Sequence, residues 1–425
     1  MATMIFWLSA ALLFYIFFAF PIICALKGLL FPVSRPAASV GAGGPPPPFV
    51  SIIVAAYNEE PVIAQKITNT LNLRYPADAW EMIIASDGST DATVAVAEGF
   101  DDKRIRVLDL PRRGKNATLN DAVKYARGSI LVFTDADIQL DADALTHLVA
   151  PFVDENIGCV AGEYRHAPDR GSANKGERWY WRFDLWLKSL QARGGSATCA
   201  TGALYALRAC LFESIPANVT DDFFTSTRAV AAGKRIVTAP AARAYGFSEL
   251  DTDREFARKI RVISRGLRSV WAARSLWNPF RYGWYAVQII THKVLRRFAF
   301  IPLLSLFGAS LCLYNTGALY RGVAIVQIVF HSLALAGVFT RHMCFPGKRL
   351  LQLPYYIDLV YAAVIMACID IATGGGKSRS WNPQGRSVSA GSAERRISKT
   401  ETDTCSYCIW KSTTTGKARG LGFRP

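Results

Sequence analysis

Residues 49–60 read FVSIIVAAYNEE, and residues 80–91, WEMIIASDGSTD, repeat the same plan. Each opens with a short apolar run rich in β-branched residues and ends in polar ones, and a helical pattern comes next: residues 61–73 after the first, from about Ala92 after the second. Pro61 suits a first helical turn, where its missing N–H costs nothing. IRVLDLP (105–111) reads as a third strand, ATLNDAVKYARG (117–128) as a helix closed by Gly128, and SILVFTDADIQL (129–140) as a fourth strand ending in acids. Strands alternating with helices argue for a parallel α/β sheet. In such sheets ligands gather at the carboxyl ends of the strands. Asn58, Glu59, Asp87, Asp91, Asp135 and Asp137 all fall at those ends. Helix capping explains Asp87 or Asp91 taken singly; it does not explain TDAD after a buried strand. Two carboxylates at i and i+2 past a strand end can share a hard cation such as Mg²⁺ or Mn²⁺, and that cation can bridge a diphosphate and neutralise a leaving group.

Around this core the chain changes character. It has 425 residues, 51% of them apolar and 19% charged, with a net charge of +16. The mean hydropathy of +0.17 is high for a soluble enzyme and is concentrated in blocks. Residues 5–26 (IFWLSAALLFYIFFAFPIICAL) run 22 residues without a charge, enough to cross a hydrocarbon core. The first cation, Lys27, comes after the run, the pattern of an uncleaved anchor rather than of a signal peptide. Lys27 with Arg35 places the C-terminal side of this run in the cytoplasm. Residues 36–48 (PAASVGAGGPPPP) form a spacer, flexible from Gly and stiff from Pro. Residues 298–320 and 322–340 are uncharged, and a third run, 353–372, contains Asp358 and Asp370. The basic loop 341–349 reads as cytoplasmic, and the Ser/Thr/Gly/Arg-rich tail from Thr373 has no hydrophobic periodicity. Nine cysteines at scattered spacings build no disulfide framework.

Residues 254–297 hold eleven Lys or Arg and one acid, Glu255, interleaved with Trp and Tyr. Arginines can grip a pyrophosphate, and a basic aromatic helix can lie on an anionic membrane surface. Binding of single-stranded nucleic acid is the third reading of such a stretch, and an anchor with several spans argues against it. Arg258–Arg265 is assigned to the site and residues 271–293 to the membrane interface.

Taken together, AAYNEE, ASDGSTD, GKNATLNDAVKYARG and TDAD, then TGALYALR, TDDF, RKIRVISRG and THKVLRRF, resemble a membrane-bound glycosyltransferase of family 2, similar to bacterial exopolysaccharide, poly-N-acetylglucosamine and hyaluronan synthase-like enzymes. The resemblance covers roughly residues 49–383. It implies an α/β GT-A fold, a Rossmann-like, mostly parallel sheet in a cytoplasmic domain combined with transmembrane helices. It also implies an inverting transfer from a nucleotide sugar, most readily a UDP-sugar, to a glycan or lipid-linked acceptor. Carried over by position, Ala55, Tyr57 and Glu59 hold uracil and ribose, Asp87 contacts base or ribose, and Lys115 lies near the nucleotide. Asp135 and Asp137 match the metal motif for Mg²⁺ or Mn²⁺, with Asp137 the more direct ligand. Thr201 and Gly202 line the acceptor site. Asp222 matches the catalytic base, with Asp221 in place of the usual Glu, and Arg261 and Arg265 contact the diphosphate. Processive members read Q-x-x-R-W where this chain has Arg258-Lys259-Ile260-Arg261-Val262; the missing Trp argues against long-chain synthesis. From the residues alone, Asp221 or Asp222 would serve as a helix cap.

The expected organisation is an anchor at 1–31, a linker at 32–48, a GT-A domain at 49–270, an amphipathic interface helix region at 271–297, about three transmembrane helices at 298–372 and a basic tail at 373–425. Two other functions remain open on the sequence alone: a processive polysaccharide synthase that secretes through its spans, and a non-catalytic nucleotide-sugar-binding subunit of a synthase. The expected partners are the donor, the acceptor and membrane lipids, with a synthase subunit as a further candidate and no nucleic acid.

Overall fold

The computed structural model describes residues 1–33, 46–166, 175–246, 252–340 and 348–374. Most of the expected linker, the basic loop 341–347 and the tail beyond residue 374 lie outside the described residues. In chain order the helices are α1 (Ala2–Phe14) and α2 (Phe20–Leu30), joined by a π-helical turn at Tyr15–Ala19; then α3 (Glu60–Leu71), α4 (Thr93–Glu98), α5 (Lys115–Val123), α6 (Ala144–Val149), α7 (Lys175–Arg193), α8 (Asp221–Ala231), α9 (Thr252–Ala272), α10 (Pro279–Tyr282), α11 (Trp284–Ile289), α12 (Phe300–Cys312), α13 (Ala318–Phe339) and α14 (Lys348–Ala372). The strands are β1 (Val50–Ala56), β2 (Trp80–Asp87), β3 (Ile105–Leu110), β4 (Ile130–Thr134), β5 (Gln139–Leu140), β6 (Ile157–His166), β7 (Leu204–Arg208) and β8 (Arg235–Gly246). They form one sheet in the order β3-β2-β1-β4-β7-β6-β8-β5.

The expected alternating half is present. β3, β2, β1 and β4 run parallel, with Val50 beside both Trp80 and Ile130. The order reverses at β1–β4, which places a crevice at the carboxyl edge of these strands. Their side chains are apolar on both faces: Ile52 and Val54 pack on one side of the sheet, Ile53 and Ala55 on the other. A sheet covered on both faces needs such continuous apolar runs. β7 then pairs antiparallel with β4, bringing the TGALYALR segment against TDAD.

The fourth strand is shorter than its apolar run. It stops at Thr134, and Gln139–Leu140 forms a separate strand paired with β8. Gly128 does not close the preceding helix, since α5 ends at Val123. It is glycine because the chain passes β1 at contact distance: a Cβ there would lie 2.5 Å from the Ser51 nitrogen. The same crossing is pinned by Glu81, buried, which accepts from Ser51 Oγ at 2.7 Å, from Arg127 N at 2.7 Å and from Arg127 Nε at 2.9 Å.

Among the described residues three helical stretches are long and apolar enough to cross a membrane: Ala2–Leu30, Ala318–Phe339 and Leu350–Ala372. The uncharged run at 298–320 is not one helix. α12 ends at Cys312, and the chain turns before α13 begins. The turn occupies residues 313–316, and Gly317, in an extended conformation, leads into α13. α12 instead forms, with Trp284–Leu295, a pair bent by 61°. Residues 271–297 likewise hold several short helical segments, the longest Trp284–Leu295, rather than one interface helix, and the long basic amphipathic helix is α9, which begins before them. Ile260 of α9, with Phe256 and Ile263 beside it, packs on Ala363 and Ala367 of α14. Ser264 Oγ reaches Asp370 Oδ2 at 3.3 Å, and the Lys259 ammonium lies 4.9 Å from the Tyr356 ring centre.

Gly128→Ala forces a β-carbon against the β1 backbone and should cost about 1–3 kcal/mol, the usual range for overpacking. Gly99→Ala, whose Cβ would meet no atom nearer than 3.4 Å, should change stability by no more than about 0.5 kcal/mol. Thermal unfolding of both variants in detergent checks the contrast, and equal melting temperatures would remove the close approach as the reason for glycine.

Candidate active site

The β1 turn starts the site. Ala55 is buried at the end of β1, and Tyr57 stands just past it at the edge. Asn58 adopts φ +54°, a left-handed conformation that asparagine tolerates better than most residues. Its side chain accepts from Thr90 N at 2.8 Å and donates to Thr90 Oγ1 at 3.2 Å, which ties the first strand-end turn to the second. Glu59 is buried, and its N–H donates to Thr93 Oγ1 at 2.8 Å. Asp91 accepts from Thr93 N at 3.0 Å and so satisfies the first N–H of α4 from one residue before Ala92, which holds the N-cap position.

Asp87 has another task. Its carboxylate is fully buried at the end of β2 and accepts from Arg113 N at 2.8 Å, from Gly114 N at 2.9 Å and from the Arg112 guanidinium. It therefore shapes the loop that leads into α5. The Arg112 guanidinium in turn lies 3.3 Å from the centre of the Tyr57 ring. Asp87, Arg112 and Tyr57 form one stacked assembly between the first two strand ends. Sequence reasoning does not single out Arg112; the doubled arginine before Gly114 is the signal that points to it.

Lys115, first residue of α5, is the meeting point. Its Nζ lies 2.7 Å from Asp135 Oδ1 and 3.0 Å from Asp221 Oδ2. Burial opposes the charge, but the two carboxylates outweigh it and hold the ammonium above the usual lysine range. Asp135 keeps 39% of its side chain exposed, and Asp137 stands partly exposed two residues on. Beneath them lies Lys66, fully buried, donating to Ile138 O at 2.6 Å and Thr134 Oγ1 at 3.1 Å. It thereby brackets the TDAD turn. Burial pushes Lys66 down to about 7, against the pull of Asp135 and Asp137. Sequence reasoning misses Lys66 as well, although its place on the buried face Ile63–Lys66–Ile67–Thr70 marks it as an interior lysine.

The far wall comes from β7 and α8. Thr220 N donates to Ser269 Oγ of α9 at 2.8 Å, so Asp221 and Asp222 open α8 on an anchored turn. A Cβ on Gly202 would lie 3.7 Å from the Cβ, Cγ and Oδ2 atoms of Asp222. The Thr201–Gly202 turn therefore faces this carboxylate directly, and the missing side chain leaves room above it. Burial first, and the charge of Asp221 second, push the Asp222 carboxyl above the ordinary aspartate range; Lys188 pulls the other way without prevailing. Arg265 on α9 is half-buried and feels the charge of Asp221, and Arg261, one turn away on the same helix, is partly exposed. The arrangement brings together two partly exposed carboxylates, a fixed ammonium, and a carboxylate with raised proton affinity facing a gap. Among the described residues no third acid, His or Cys joins Asp135 and Asp137 as a metal cluster.

Residues 51–215 match the family described as Glycosyl transferase family 2. The chain is 37% identical over 159 residues to a beta-monoglucosyldiacylglycerol synthase from Nostoc sp., covering 35% of this chain and 33% of that protein. It is 32% identical over 119 residues to a poly-beta-1,6-N-acetyl-D-glucosamine synthase from Staphylococcus epidermidis, covering 27% of this chain and 28% of that one. The chain thus spans about a third of the length of these relatives. A mannosyltransferase from Pyrobaculum calidifontis, solved in complex with GDP-Man and Mn²⁺, superposes with a TM-score of 0.62 at 23% identity, covering 86% of this chain and 98% of that one. The parallel sheet, its reversal at β1–β4 and this likeness give the GT-A fold, and residues 51–215 are similar to the glycosyl transferases of family 2.

Proposed function

We propose that the protein is an integral-membrane glycosyltransferase that moves a sugar from a nucleotide sugar, a UDP-sugar foremost, to a glycan or lipid-linked acceptor with inversion. The observation that carries this reading is the bridge of Lys115 between Asp135 and Asp221, with Asp222 next in the chain and facing the Thr201–Gly202 gap. It sets a diphosphate-type site and a basic carboxylate on two sides of one ammonium.

In this reading the acceptor hydroxyl enters beside Thr201 and Gly202. Its oxygen bonds to the anomeric carbon, its proton passes to Asp222, and the bond from that carbon to the nucleoside diphosphate breaks. One displacement inverts the centre and needs one base. Ala55, Tyr57 and Glu59 cradle base and ribose, with Asp87 and Arg112 shaping the wall. Lys115, Arg261 and Arg265 meet the leaving diphosphate. Asp135 and Asp137 offer two hard carboxylates, a donor set that suits Mg²⁺ or Mn²⁺ with the remaining positions left to phosphate and water. When bound, that ion neutralises charge on the leaving group. The sheet domain lies on the cytoplasmic side, as Lys27 after the first apolar helix indicates. Val262, where processive relatives carry Trp, favours one discrete product over a ladder.

Donor turnover in detergent tests the reading. Purified protein offered UDP- and GDP-sugars with Mg²⁺ or Mn²⁺ should release nucleoside diphosphate from one donor, faster with membrane lipid extract. Asp222→Asn should lower that rate by about 10²–10⁴-fold with donor binding retained. Equal rates would take Asp222 out of the mechanism.

The raised proton affinity of Asp222 has two signs to check. As a base it must be ionised, so activity should fall on acidification through an apparent pKa above the ordinary aspartate range. As a buried acid it stabilises the fold only below its unfolded pKa and loses that contribution as pH rises through its folded one. Asp222→Asn should therefore melt above wild type at neutral pH, with the gap closing in acid. A variant that melts lower at neutral pH would contradict this.

Chelation with EDTA should stop transfer, and Mn²⁺ or Mg²⁺ should restore it. Asp137→Asn should raise the metal concentration needed for half-maximal rate by about tenfold or more, on the order of the loss of one charged ligand contact. Full activity in EDTA would sink the metal assignment.

A further inference from the structure

α7 turns one polar face inward. Asp184, Lys188 and Gln191 are all buried, at a spacing that stacks them along one side of the helix. Lys188 Nζ lies 3.3 Å from Asp184 Oδ2, 3.4 Å from Ala200 O and 3.4 Å from Thr201 Oγ1. The other Asp184 oxygen meets His292 Nε2 at 2.9 Å and an Arg296 nitrogen at 3.0 Å. His292 Nδ1 faces Gln191 at 3.2 Å and Thr198 Oγ1 at 3.1 Å. Asp184, Lys188 and the Thr198–Thr201 segment are thus one buried polar assembly, ending on the turn that faces Asp222.

We propose that Lys188 is a positioning residue of the transfer reaction: it fixes the Ala200–Thr201 wall opposite Asp222 and supplies that carboxylate with its buried cationic neighbour. The proposal rests on the reading of Asp222 as the base. A buried ammonium needs compensating charge: burial opposes the charge on Lys188, and the neighbouring Cys199, Asp184 and Asp222 favour it. Asp184 itself is held well below the usual range: burial opposes this, while Lys188, Lys293, Arg296 and His292 overcome it. Lys188 is therefore not neutralised by Asp184 alone. Its field reaches the carboxylate across the Thr201 turn.

Other groups act at the same place. Asp221 precedes Asp222 on α8, Lys293 approaches from the turn after α11, and the Phe223 N–H donates from within α8. The Tyr205 hydroxyl on β7 feels both aspartates. Lys115 from α5 pairs with Asp221, and Arg265 from α9 feels the Asp221 charge. Of these, Lys188 joins charge and wall in one side chain.

The test is the pH profile of the single-turnover rate with saturating donor. Lys188→Met removes a cation beside the base, so the acid limb should move to higher pH by about half a unit to one unit, and the maximal rate should drop. Donor KM should stay within about twofold, because the lysine stands on the acceptor side. Asp184→Asn removes a negative charge and should move the limb to lower pH. Lys188→Arg should return the limb to its wild-type position. A lysine that only supports the fold would lower the rate at every pH without moving the limb; an unmoved limb in Lys188→Met, with donor binding intact and Asp222→Asn inactive, would falsify the proposal and leave the base reading standing. Asp222→Asn with wild-type rate would overturn both. Should Lys188→Met lose donor binding, the direction of the Asp184→Asn shift decides: downward supports the proposal, none overturns it.

Discussion

The contact on which the rest of the site depends is the ammonium of Lys115 between Asp135 and Asp221. Asp135 comes from the end of a parallel strand, and Asp221 from the start of a helix that comes after an antiparallel one. With Asp222 beside Asp221 and Asp137 beside Asp135, four carboxylates converge on one crevice, and like charges at such range disfavour one another's ionisation. A single fixed cation, raised in proton affinity by the acids it joins, lets the two pairs share the crevice. It also sets the separation of Asp135 and Asp221, and with it the placing of the neighbouring Asp137 and Asp222.

Lys115 is one of three interior lysines with the same logic. Lys66 lies under TDAD, and Lys188 lies behind the Thr201 turn. Burying a charge without partners is costly, and each of these three is set against carboxylates, carbonyls or hydroxyls that offset that cost. The outcome differs with the partners. Lys115 touches two carboxylates and is raised; Lys66 touches a carbonyl and a hydroxyl, with Asp135 and Asp137 farther away, and falls to about 7. Polar contacts keep a buried lysine solvated, and adjacent anions are needed to keep it firmly charged.

The strand-end acids are legible because a parallel sheet announces itself by apolar runs that stop in polar residues, and Asp87, Asp135 and Asp137 stand where those runs stop. The role of Asp87 is not legible, because its partners, the amides of Arg113 and Gly114, lie 26 residues on or more and are brought to it by strand pairing alone. Lys188 and Asp184 escape notice for a related reason. On a helix rich in Arg, Trp and Lys their spacing reads as a solvated stripe, and only the packing of α7 against the Thr198–Thr201 segment turns that stripe inward. Gly128 shows the opposite error. Its position after a helical pattern suggests a cap, while the constraint is a neighbouring strand that local sequence does not reveal.

The basic helix α9 connects two parts of the chain that composition alone keeps apart. Its Ser269 holds the Thr220 turn that opens α8, and its Ile260, Ser264 and Lys259 rest on α14. α14 contains Leu350–Ala372, apolar enough to cross a membrane. The polar contact between Ser264 and Asp370 lies near the C-terminal end of α14, and the apolar contact with Ala363 and Ala367 lies further back along it. Small residues there let the two helix backbones come close. A helix held in this way at its middle and near its C-terminal end cannot shift relative to α14 without disturbing the turn that opens α8, and so the carboxylates that begin it. The site's geometry is therefore referenced to the apolar helices as well as to the sheet.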